Sequence, residues 1–69
     1  MTYFVEFVDG FADTPTRIDG FDTAAKAKRR GRVIWNRAID NREMPPHVMV
    51  IADDQSHAWS INGDGWHAE

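Results

Sequence analysis

No cysteine occurs among the 69 residues, which removes disulfides, thiol nucleophiles and thiolate-held zinc or iron–sulfur clusters from consideration. No apolar run approaches the ~20 residues that a membrane-spanning helix needs, and the mean hydropathy is −0.54. The opening Met-Thr-Tyr-Phe-Val-Glu has neither the basic stretch nor the long apolar stretch of a secretory signal, so a cytoplasmic protein without a membrane partner is expected. Repeats, Pro/Gly-rich linkers and low-complexity segments are absent. The glycine-containing turns, Asp9-Gly10, Asp19-Gly20 and Gly63-Asp64-Gly65, match no phosphate-binding fingerprint. Lysine and arginine are missing altogether from Glu43 to Glu69.

What is present fits one small domain spanning residues 1–69. Apolar residues make up 42% of the chain and include three Trp and four Phe, enough for a single packed core. A chain of this size hides only about 60% of its unfolded surface, so each large apolar side chain counts. Charge is segregated. Met1 to Asp22 holds five acids and one base, Thr23 to Arg42 seven bases and one acid, and Glu43 to Glu69 five acids. The net charge of −3 argues against a generic nucleic-acid binder, whereas a basic middle between acidic flanks argues for a directed partner surface.

The hydrophobic pattern predicts the elements. Tyr3 to Val8 alternates as a strand, and Asp9-Gly10 reads as its turn. Thr14 to Ile18 reads as a second, antiparallel strand, which Pro15 confines to an edge or to a strand start. Asp22 or Thr23 supplies the N-cap of an amphipathic helix running to about Ile39. Its apolar stripe is Ala24, Ala27, Gly31, Ile34, Trp35 and Ala38. Gly31 costs such a helix about 1 kcal/mol against Ala, a loss offset where the helix must approach a sheet closely. Asn41 and Pro45-Pro46 end the helix, His47 to Ala52 and His57 to Ile61 read as further strands, and Asn62-Gly63-Asp64-Gly65 is a hairpin turn before a short strand at Trp66. The expected fold is α+β, ββαββ(β), with one antiparallel sheet of four or five strands packed by a single helix.

Chemistry-bearing residues are sparse. His47, His57 and His67 recur every ten residues, but a metal needs at least three converging ligands, and no HxH or HxxxH spacing is present. Asp53 and Asp54 beside His57 suggest acid–base work, yet adjacent aspartates before Gln-Ser are also ordinary turn chemistry. Without a catalytic constellation or a cofactor motif, the expectation is a non-enzymatic protein that uses no cofactor. The helix is more informative. Lys26, Arg30 and Arg37 lie opposite the apolar stripe with Arg29 to one side, and Val33 sits among them. An apolar residue within an arginine cluster has the character of a binding patch, so Lys26, Arg29, Arg30, Val33 and Arg37 are the candidate partner-binding residues. Asp53, Asp54 and Asp64 form the alternative, a phosphate-imitating acidic surface. Direct nucleic-acid binding through the basic helix is a further reading, for which Phe4 and Trp66 are the candidate stacking aromatics on an open sheet face.

Three stretches carry a family resemblance: Ala25 to Arg30 (AKAKRR) at the helix start, His47 to Ile51 (HVMVI), and Ala58 to Trp66 (AWSINGDGW). In this layout the chain resembles small phage-encoded anti-CRISPR proteins, in particular type I-F inhibitors with two strands, a helix and two or three further strands. The Pro45-Pro46 break and the acidic first hairpin depart from that pattern, and no contact residue is carried over. The resemblance implies a phage protein acting in the cytoplasm of a bacterial host. There it would occlude a CRISPR effector complex, a host protein or ribonucleoprotein, and block nucleic-acid recognition.

Overall fold

The computed structural model describes residues 1–8 and 14–69; the expected turn at Asp9-Gly10 lies outside them. The elements are β1 (Tyr3–Val8), β2 (Thr16–Phe21), α1 (Ala24–Asp40), β3 (His47–Ala52), β4 (Ala58–Asn62) and β5 (Gly65–Ala68). The five strands form one sheet in the order β2-β1-β3-β4-β5, with every neighbouring pair antiparallel. The fold is therefore α+β, with α1 laid across one face of the sheet.

Alternation decides which side chains meet the helix. Val5 stands opposite Val50 and Phe7 opposite Val48, while Trp59 pairs with Val50 and Ile61 with Trp66. Val5, Val48 and Val50 are fully covered, and Tyr3, Phe7, Ile18, Ile34, Trp35 and Trp66 pack around them. On α1 the expected stripe faces inward, with Ala27, Gly31 and Ala38 buried and Ala24, Ile34 and Trp35 half-buried. Gly31 is the point of closest approach. A Cβ there would stand 2.8 Å from Trp66 Cη2 and 3.1 Å from Val48 Cγ1, so the missing side chain makes room for the indole.

The second strand differs from expectation. It runs from Thr16 to Phe21 rather than from Thr14 to Ile18. Asp19-Gly20 is not a turn: Gly20 takes φ 97° at an irregularity in the β1–β2 register, after which Phe21 pairs with Tyr3. A bulge of this kind needs a residue free to take positive φ, and glycine supplies it. The strand lies at the sheet edge and begins directly after Pro15, where the missing amide hydrogen breaks no ladder.

Both ends of α1 are closed by local chemistry. Thr23 Oγ1 accepts from the Lys26 amide at 3.2 Å, which makes Thr23 the N-cap. At the other end Arg42 N donates to the Ile39 carbonyl and Glu43 N to the Ala38 carbonyl at 2.9 Å, with Arg42 at φ 58°. This is a Schellman closure with arginine at the position that usually carries glycine. The chain turns there and, through Pro45-Pro46, enters β3.

A candidate interaction face on the helix

The outward side of α1 is set by the same periodicity that buries its inner stripe. Val33 is 45% exposed, and Lys26, Arg29, Arg30 and Arg37 are all exposed with it. The structure therefore brings all five predicted residues onto one face. Their charges are not equivalent. Lys26 Nζ is 2.9 Å from Asp22 Oδ1, one turn earlier, and this hydrogen bond and charge hold the Asp22 carboxyl below the usual carboxylate range. Arg29, Arg30 and Arg37 have no ion-pair partner among the described residues, where Arg17–Asp19 is the other pair formed. Lys28 leaves the face and places its ammonium 4.3 Å from the centre of the Trp59 ring.

Sequence reasoning missed what adjoins this face at the C-terminal end of α1. A cavity of about 150 Å³ opens between the last helical turns, the end of β1 and the segment leading to β3. Phe7, Ile34, Ala38, Met44 and Pro46 form its apolar wall, and Arg37, Asn41 and Glu43 its polar rim. A second, shallower depression on the outer side of the helix is lined by Val33, Asn36, Arg37, Asp40 and Asn41. Arg37 and Asn41 line both hollows. Met44, at 92% exposure, stands almost wholly in water beside the cavity. The cavity left no signal in any single stretch of sequence because three separate segments build it.

The acidic alternative is not assembled in one place. Asp53 and Asp54 lie in the β3–β4 turn, whereas Asp64 lies in the β4–β5 turn at the opposite end of the strands. Asp53 Oδ2 accepts from Thr2 Oγ1 at 2.8 Å and from the Thr2 amide at 3.3 Å, tying the start of the chain to this turn. Asp54 Oδ1 accepts from the Ser56 amide at 2.9 Å. These bonds hold both carboxyls below the usual range. Asp54 is thus engaged in turn chemistry, and Asp53 in a long-range tie to Thr2.

The histidines are also dispersed. His57 stacks on Trp59, with ring centroids 5.9 Å apart, and Trp59 also lies 6.2 Å from Tyr3. His47 starts β3 opposite Val8. His67 Nε2 is 3.0 Å from Asn62 Oδ1 on β4. Among the described residues no three His, Asp or Glu side chains converge as metal ligands would.

Among the described residues the sheet face away from the helix does not provide the aromatic platform that base stacking requires. Trp66 is on the other face, over Gly31, which corrects its assignment as an open-face aromatic. Phe4 does share a face with Glu6, but it is only 7% exposed because the Arg17 guanidinium sits 3.8 Å above its ring. No protein-family model matches the chain, and neither does any curated protein or solved structure.

Proposed function

We propose that this protein is a non-enzymatic binding protein that uses the outward face of α1 to engage and inhibit a larger assembly. The observation that carries the reading is the cluster of Arg29, Arg30 and Arg37, without an ion-pair partner among the described residues, around exposed Val33 on a helix anchored by its Gly31–Trp66 contact. Long-range attraction from the arginines would speed encounter, and burial of Val33 with the arginine stems would hold the complex. The resemblance to type I anti-CRISPR proteins gives the partner class, a CRISPR effector complex in a bacterial cytoplasm whose nucleic-acid recognition is blocked by occlusion. Co-purification of the tagged chain with a type I effector complex, paired with a plaque assay for phage protection, tests this reading. A stoichiometric complex and restored plaquing are expected; failure of both would overturn it. Direct nucleic-acid binding ranks lower because Phe4 is sealed and Trp66 faces inward. A filter-binding salt series separates the two, since phosphate contacts predict affinity that falls steeply as salt rises.

A further inference from the structure

We infer that the cavity at the C-terminal end of α1 is an anchor pocket for one apolar side chain of an acidic polypeptide. The inference rests on the binding reading of the helix face and adds the chemistry of what binds there. Its volume of about 150 Å³, in a hollow open to solvent with Arg37, Asn41 and Glu43 on its rim, is enough for one benzene-sized group. Phe7, Ile34 and Ala38 give it an apolar floor, and exposed Met44 provides a flexible apolar side chain at its mouth. Methionine adapts its shape to what it packs against, which suits a docking surface.

Charge selects the occupant. Arg37 lines both the cavity and the outer depression beside Val33, and its guanidinium is not ion-paired among the described residues. Arg30 lies two turns earlier on the same flank of the helix. A segment whose apolar side chain enters the cavity would therefore lay its carboxylates over Arg37 and Arg30. Glu43 lines the cavity and Asp40 the outer depression, and both follow Arg37 in the chain, so an acidic segment is disfavoured on the C-terminal side and directed back along the helix toward Arg30. The apolar anchor and the uncommitted arginines give a partner segment of the form acidic–apolar–acidic, with most of the affinity in the buried side chain.

Two capped synthetic peptides, Asp-Glu-Phe-Glu-Asp and Asp-Glu-Ala-Glu-Asp, titrated into the full chain and followed by amide chemical shifts, test the inference. The phenylalanine peptide should shift the amides of Phe7, Ala38 and Met44 and bind about tenfold more tightly than the alanine peptide. Ala38→Leu, which fills the cavity, should abolish that preference. Met44→Asp, at a solvent-exposed position where folding is not at stake, should weaken the phenylalanine peptide. Equal affinities with shifts confined to Arg29, Val33 and their outward neighbours would overturn the anchor pocket while leaving the binding face in place. No shift with either peptide would also overturn the pocket, whatever the effector co-purification shows.

Discussion

Gly31 shows how one residue sets the geometry of the whole face. Its missing Cβ lets the Trp66 indole lie against the helix backbone, so the helix sits close to the sheet and its outer side is presented in a fixed orientation. Gly31→Ala gains about 1 kcal/mol of helix propensity but forces the methyl into Trp66 and Val48, an overpacking that costs about 1–3 kcal/mol. The net is a loss, read as a fall of several degrees in melting temperature. In a Trp66→Leu background the same change costs less, because the closest contact, Trp66 Cη2, is gone and only Val48 Cγ1 at 3.1 Å remains; a double-mutant cycle by thermal melts checks this. Arg42 is the converse case. It holds φ 58° at the helix end, a conformation that costs a side-chain-bearing residue but not glycine. Arg42→Gly should therefore stabilise the protein by about 1 kcal/mol in a denaturant titration.

Among the elements, those with clean periodicity were legible from sequence and those with a defect were not. β1 and β3 have the expected limits, Tyr3–Val8 and His47–Ala52, because strict alternation of large apolar residues admits one reading. The phase of α1 also follows from sequence, since its small-to-large apolar stripe leaves Val33 on the outside. β2 was misplaced because Asp19-Gly20 carries the composition of a turn, and only pairing with Tyr3 reveals a bulge within a strand. Trp66 was assigned to the wrong side because its strand is too short to show alternation, while its true place depends on Gly31 far away in sequence. The cavity beside Arg37 was invisible for the same reason.

The β3–β4 turn adds a pH prediction at this scale. Asp53 and Asp54 have carboxyl pKa values lowered from 3.8, through bonds from Thr2 and Ser56 respectively. In acid the unfolded chain takes up these protons before the folded one does. The stabilisation is therefore complete above about pH 5 and is lost as pH falls through the lowered folded values. Denaturant midpoints measured from neutral pH down to strong acid should decline in that window, and Asp53→Asn with Asp54→Asn should flatten the decline.

For the molecule as a whole, charge and packing divide the labour between the two sides of α1. The inner side sets stability: Val50 is fully covered, and Val50→Ala should cost about 2 kcal/mol. The outer side carries Lys26, Arg29, Arg30 and Arg37, half of the lysines and arginines of an otherwise acidic chain, and contributes little to folding. Val33→Asp should thus change stability by no more than about 0.5 kcal/mol, while placing a carboxylate among Arg29, Arg30 and Arg37. Paired Arg30→Ala and Arg37→Ala should act in the same direction on binding. The most direct measurement is the retention of a type I CRISPR effector complex by immobilised Val33→Asp and wild-type protein, read beside their thermal melts. The proposed binding face predicts matching melts and sharply reduced retention by Val33→Asp. Matching melts with undiminished retention would contradict it and move the contact surface to the loops that carry Asp53, Asp54 and Asp64.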